Sequence, residues 1–211
     1  MNTYNFTEFS QLNLINELNK IIKGTGEKIE GNCLYQHESN FEYHHGNKED
    51  LRNNIFKICK NKKSILEVGF NGGHSVALYS YSNPKIIIKS FDICIHKYTE
   101  KCANYLKKST DLNFELIKGD SQETLKIYNS NEKFDVIHID GGHGYEPAKS
   151  DLYECKKFAY NETILIFDDA YQGPISKLLE EELKNNLIIE VDYKSLNLKT
   201  TKWHRIFYYK M

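Results

Sequence analysis

From Ser64 onward, short apolar runs alternate with amphipathic stretches, and this alternation constrains the fold more than any other feature of the chain. The runs occupy 64–68, 86–91, 114–118, 134–139, 163–167, 187–191 and 202–209. Helical spacing fills most of the gaps, near 74–81, 97–108, 122–128, 147–158 and 174–184. Strand and helix in this rhythm predict an α/β fold, a mostly parallel, doubly wound sheet of seven strands with helices on both faces. Only residues 192–201 separate the last two runs. That is too short for a parallel crossover through a helix, so the last strand is expected to turn back antiparallel.

Ahead of the sheet, Phe9, Leu12, Ile15, Leu18 and Ile22 recur at helical spacing, with Thr7 placed to cap and Gly24 just past the end. A loop-rich stretch over 25–47 carries His37, His44 and His45 beside Tyr35, Phe41 and Tyr43. A second helix is predicted over 48–60, burying Leu51, Ile55, Phe56 and Cys59. No repeat or low-complexity linker interrupts the chain. The expected organisation is a helical N-terminal extension over 1–60, capping the acceptor side, and an α/β domain over 61–211.

Composition narrows the partners. The 28 basic and 29 acidic residues leave a net charge of -1, which excludes a globally basic nucleic-acid binder. No apolar run approaches the roughly 20 residues that span a bilayer, and residues 1–10 lack the charged-then-apolar layout of a signal peptide. A cytoplasmic protein is expected, with no membrane partner. Five cysteines (Cys33, Cys59, Cys94, Cys102, Cys155) lie scattered without a C-x-x-C pair, so reduced thiols are expected rather than structural zinc or a disulfide framework.

In open α/β sheets, ligands bind beyond the carboxyl ends of the strands, and here those ends are rich in Gly and Asp. The first strand leads into Glu67-Val68-Gly69-Phe70-Asn71-Gly72-Gly73-His74-Ser75. Glycines permit positive φ and close approach of backbone to ligand, and the following helix offers free N–H groups. The spacing is not the G-x-G-x-x-G of dinucleotide binders, and a tight turn without a ligand would read the same way. The second strand ends at Asp92, placed to accept hydrogen bonds from ribose hydroxyls or to cap a helix. The third ends in Gly119-Asp120-Ser121, where a carboxylate and a hydroxyl could meet an adenine edge, or Ser121 could cap the next helix. The fourth carries His138-Ile139-Asp140-Gly141-Gly142-His143-Gly144-Tyr145-Glu146-Pro147, and the fifth ends in Asp168-Asp169. Adjacent carboxylates repel and need solvent, a cap or a cation. Asp140, Asp168 and Asp169 make a hard oxygen set suited to Mg²⁺ or Mn²⁺. The H-x-D-x-x-H spacing of His138, Asp140 and His143 could also be read as zinc, but within a strand His138 is expected to be a packed core histidine.

On three segments the chain resembles the class I S-adenosylmethionine-dependent methyltransferases, close to the macrocin-type and cephalosporin-hydroxylase-type O-methyltransferases. These are Ile65-Leu66-Glu67-Val68-Gly69, Ile137 to Glu146, and Ile164-Leu165-Ile166-Phe167-Asp168-Asp169. The resemblance implies a Rossmann-like domain with S-adenosylmethionine as cofactor. Glu67, Gly69 and Asn71 would surround its methionine part, Asp92 its ribose, and Asp120 and Ser121 its adenine, with Gly73 and Asp140 also counted as cofactor-binding. It further implies metal ligands at Asp140, Asp168 and Asp169 and a catalytic base at His143. The expected acceptor is a small molecule bearing a hydroxyl, such as a sugar, and a homo-oligomer would be compatible. Two readings from other classes stay open: a nicotinamide-dependent oxidoreductase, and a non-catalytic cofactor-binding descendant of the same fold.

Overall fold

The computed structural model describes residues 3–44 and 48–211. It begins with α1 (Phe6–Ser10), α2 (Asn13–Thr25) and α3 (Glu49–Cys59). There follow β1 (Ser64–Val68), α4 (His74–Ser82), β2 (Ile87–Asp92), α5 (Thr99–Ser109), β3 (Phe114–Lys118) and α6 (Ser121–Ile127). The remainder is β4 (Val136–Ile139), α7 (Tyr145–Cys155), β5 (Ile164–Asp168), α8 (Gly173–Lys184), β6 (Ile188–Glu190) and β7 (His204–Tyr209). The strands form one sheet in the order β3-β2-β1-β4-β5-β7-β6. The pairs from β3 through β5 are parallel, while β7 runs antiparallel to both β5 and β6. This is the expected doubly wound, Rossmann-like sheet with its last strand reversed.

Successive residues of a strand face opposite sides of the sheet, and the central strands are apolar on both. Ile65, Val136, Ile164, Ile166 and Ile206 pack into a core shared with Phe9, Ile15, Leu18 and Ile22 of α1 and α2 and with residues of α3, α4 and α5. Leu66, Val68, Ile137, Ile139, Leu165 and Phe207 face the other core, filled from α6, α7 and α8. The N-terminal helices therefore close one face of the sheet. Parity carries the first face on to polar residues at the carboxyl ends, where Glu67, His138, Asp168 and His204 are all buried.

The N-terminal pattern folds as two helices rather than one. The Asn5 side chain, not Thr7, caps α1 by accepting from the Glu8 N–H at 3.2 Å. Leu12 is extended (φ -55°, ψ 136°), and α2 restarts at Asn13. The break lets Phe9 and Ile15 both point inward, which one continuous helix would not require of Leu12, itself only half-buried. The helix stops at Gly26, in the left-handed conformation with φ 73°, rather than at Gly24.

Candidate active site

A cavity of about 390 Å³ opens across the carboxyl ends of β1, β2, β4 and β5, within the size range of small-molecule sites. It lies where the chain reverses its winding direction, between β1 and β4. Gly69 forms the cradle at the end of β1. Its φ is 98°, and a Cβ there would sit 1.9 Å from the Asp140 carbonyl oxygen. Asp140 N–H donates to Val68 O at 2.8 Å, so the β1 and β4 ends meet backbone to backbone.

Asp92 locks the glycine loop to the second strand: Oδ2 accepts from Asn71 N–H at 2.7 Å and Oδ1 from Cys94 N–H at 2.6 Å. Asn71, at φ 52°, also accepts from the Tyr98 hydroxyl at 2.7 Å. Asp120 both lines the cavity and caps α6, accepting from Gln122 N–H at 2.9 Å. Ser121, a candidate cap from sequence, is instead the first helical residue, and it lines the cavity.

Gly69, Asn71, Asp92, Asp120, Ser121 and Asp140 thus share one cavity wall, but two expected cofactor positions do not reach it. Glu67 is fully buried behind the wall, because its parity turns it into the sheet face under α4. Its carboxylate accepts from Tyr79 at 2.8 Å and from Ser90 at 2.5 Å, and burial raises its pKa to about 7. Gly73 opens α4 at φ 81°, where a Cβ would strike the Phe70 ring at 2.9 Å; its smallness serves packing.

The acidic end is divided. A ring nitrogen of His138 and carboxylate oxygens of Asp140 and Asp168 lie within 4.8 Å of one another, and so do ligand atoms of Asp140, His143 and Asp169. The three aspartates do not make one such set among the described residues, contrary to the expected grouping. The backbone explains why: Asp168 ends β5 on the buried face, whereas Asp169 has φ 51° and its carboxylate turns the other way. There Oδ2 of Asp169 meets Nε2 of His143 at 3.0 Å, and Gln172 Nε2 lies 3.3 Å from His143 Nδ1. The hydrogen bond to Asp169 raises the His143 pKa, with burial opposing. Burial raises Asp168 to about 7, opposed by Lys48 and reinforced by Asp169. Asp140 lies well above the usual carboxylate range, through burial and then the charges of Asp168 and Asp169.

Lys48, just ahead of α3, was not foreseen. It is buried and lines the cavity, with Nζ 3.2 Å from Asn32 O and 4.7 Å from the Trp203 ring centre. In sequence it reads as a surface lysine beside Glu49 and Asp50, with no signal of its burial. Glu30, Gly31, Asn32 and His96 complete that side. The aromatic loop does not reach the cavity: Tyr35, Phe41 and Tyr43 pack on one another with ring centres 5.1–5.2 Å apart. His37 accepts from Gly31 N–H at 3.2 Å, and His44 sits 5.9 Å from Trp203. His45 lies outside the described residues.

The residues fit both expected groups. An open cavity lined by Gly69, Asn71, Asp92 and Ser121 at the strand ends suits a cofactor, and His138 Nε2 and Asp168 Oδ1, buried without hydrogen-bond partners, suit a cation. No helix among the described residues is long and apolar enough to cross a membrane.

The family model described as "Methyltransferase domain" matches residues 66–170. No curated protein matches the sequence. An O-methyltransferase from Bacillus cereus, solved with S-adenosylhomocysteine, is 14% identical with a TM-score of 0.65, covering 97% of this chain and 96% of that one. TomG, an O-methyltransferase of tomaymycin synthesis from Streptomyces achromogenes solved with S-adenosylmethionine, is 12% identical (TM-score 0.61, 97% and 95% covered). A TDP-rhamnose 3'-O-methyltransferase of calicheamicin biosynthesis is 15% identical (TM-score 0.60, 99% and 100% covered). Together with the glycine loop and the acidic strand ends at its predicted positions, the match over residues 66–170 marks a methyltransferase domain and supports the class I S-adenosylmethionine-dependent methyltransferases as the family of this chain.

Proposed function

We propose that the protein methylates a hydroxyl of a sugar or other small molecule with assistance from a divalent cation. The observation that carries this reading is the His143–Asp169 pair at 3.0 Å, held at the cavity mouth beside Asp140 and across from the Gly69 cradle. When bound, S-adenosylmethionine supplies a sulfonium methyl that needs little activation, so alignment with the acceptor oxygen dominates. A divalent cation at Asp140 and its neighbours would lower the pKa of the acceptor hydroxyl.

The chain's own residues divide the remaining work. Gly69 admits the cofactor's approach to the β1–β4 junction, and Asp92 holds the loop while offering its remaining lone pairs to a ribose. His143 takes the acceptor's proton on its neutral form, and Asp169 orients the ring and stabilises the imidazolium that results. Glu30, Asn32 and Lys48 shape the acceptor side from the N-terminal segment. A sugar acceptor is supported by the rhamnose methyltransferase among the structural neighbours.

The test is transfer of a labelled methyl group from S-adenosylmethionine to a panel of nucleotide sugars and catechols, with and without chelator. Product that disappears on chelation and returns with Mg²⁺ or Mn²⁺ is expected. Tight nicotinamide-dinucleotide binding without S-adenosylmethionine binding would point to an oxidoreductase. Cofactor binding with no turnover across the panel would point to a non-catalytic descendant, and undiminished turnover in excess chelator would remove the cation.

A further inference from the structure

Behind the cavity wall, Glu67, Tyr79 and His138 form a buried polar chain that methyl transfer as described does not use. Tyr79 has a single hydroxyl proton, which it donates to Glu67 Oε1 at 2.8 Å. Its oxygen also lies 2.5 Å from His138 Nδ1. With the phenolic proton committed to Glu67, that contact requires the proton on nitrogen, so Nδ1–H donates to the Tyr79 oxygen. A neutral imidazole carries one N–H, and Nε2 is then left with a lone pair.

Nε2 belongs to a residue only 2% exposed, and it has no partner among the described residues. A ring nitrogen of His138 lies within 4.8 Å of carboxylate oxygens of Asp140 and Asp168, and with Nδ1 engaged, Nε2 is the one left to bind a cation. Asp168 Oδ1 is likewise buried without a partner. Two buried, unpartnered polar atoms thus face a third carboxyl group, an arrangement that a cation would satisfy. The nearby Lys48 ammonium donates to Asn32 O rather than to either carboxylate.

We propose that His138 Nε2, Asp140 and Asp168 hold the divalent metal, leaving Asp169 and His143 outside it as the proton-handling pair. An imidazole in the set favours Mn²⁺, Fe²⁺, Co²⁺ or Zn²⁺ over Mg²⁺, which prefers oxygen ligands. Tyr79 and Glu67 then act as the outer partners that fix a ligating histidine's tautomer and orientation. What the ion does for the acceptor rests on the methyl-transfer reading, but where it binds does not.

The experiment is a Mn²⁺ titration of the full chain without acceptor, read by calorimetry and by pulsed EPR for nitrogen coupling, with Mg²⁺ as competitor. Wild type should show nitrogen coupling and bind Mn²⁺ at least about tenfold more tightly than Mg²⁺. His138→Leu should abolish the coupling, and His143→Ala should keep it. Tyr79→Phe, which removes only a hydroxyl, should weaken Mn²⁺ by about 10–100-fold. Mn²⁺ bound without nitrogen coupling, or with coupling lost only in His143→Ala, overturns the His138 site and leaves metal-assisted transfer standing on oxygen ligands. Equal affinity for Mg²⁺ and Mn²⁺ in wild type overturns it without any variant. Absence of Mn²⁺ binding overturns it too, whereas absence of S-adenosylmethionine binding in the same preparation counts against the methyltransferase reading alone.

Discussion

Replacing Gly69 by alanine probes the cofactor cradle most directly. The new Cβ would lie 1.9 Å from the Asp140 carbonyl oxygen, where ordinary contact begins near 3.4 Å, so the β1 and β4 ends must separate by the difference, 1.5 Å. The backbone angle of φ 98° adds strain for any residue with a Cβ, about 1–3 kcal/mol. Displacing Gly69 and Asp140 also strains two backbone hydrogen bonds on either side of β1, Gly69 N–H to Phe91 O and Asp140 N–H to Val68 O, both 2.8 Å. Each is worth about 0.5–1.5 kcal/mol. The sum is about 2–6 kcal/mol, a large fraction of the ~5–15 kcal/mol that holds a typical domain together. At about 2–4 °C per kcal/mol for a chain of this size, the melting temperature should fall by at least about 4 °C. Calorimetry should also show weaker S-adenosylhomocysteine binding, because the same displacement moves Asp140 at the cavity wall. Gly24→Ala is the control: it lies within α2, nothing stands within 4 Å of its Cβ, and it should stabilise slightly. A Gly69→Ala protein with unchanged melting temperature and affinity would refute the claim that the cradle excludes a side chain.

Three further outcomes are expected. Asp92→Ala should weaken S-adenosylhomocysteine by about 1.5–3 kcal/mol, the worth of hydrogen bonds to a charged group, and unchanged calorimetric affinity in a folded variant would remove Asp92 from the ribose. Asp169 raises the pKa of His143, and a base works only when deprotonated, so turnover should climb with pH through that raised value. Asp169→Asn should shift the climb to lower pH, and a pH–rate profile insensitive to this change would exclude the pair. Glu67, with a usual pKa of 4.5 raised to about 7 in the fold, binds a proton more tightly folded than unfolded. Its contribution should therefore lower stability progressively from about pH 4.5 to pH 7 and level off above, as melting curves across that range would record. Glu67→Gln should flatten the slope.

Legibility of the chain followed the range of the interactions involved. Strand periodicity and turn residues are local, so the sheet and its reversed last strand could be read from the runs and from the short 192–201 connection. The clustering of Asp92, Asp120, Asp140 and Asp168 at one edge followed from topology, because parallel strands deliver their carboxyl ends to the same side. Leu12 fits a continuous helix as well as the observed break, since only tertiary packing of Phe9 and Ile15 separates the two. Lys48 acquires its burial from Asn32 and from Trp203, the latter 155 positions away, and no neighbour in sequence hints at either. The division of the acidic cluster depended on a single left-handed turn at Asp169, and the free ring nitrogen of His138 on a phenol in a distant helix.

The placement of β7 has a consequence for biosynthesis. Every strand from β2 to β5 can zip onto a partner already made, but β6 meets the sheet only through β7, which follows it in the chain. Until residues 204–209 have left the ribosome, β5 presents an open, apolar edge with Ile164, Leu165, Ile166 and Phe167 all buried in the finished molecule. Such an edge is a template for pairing with a second nascent chain. Arg205 acts as a latch, since its guanidinium meets Glu190 at 2.6 Å and Glu180 at 2.5 Å as the strand slides in. Slow or stalled translation before residue 204 should therefore divert this protein toward aggregation.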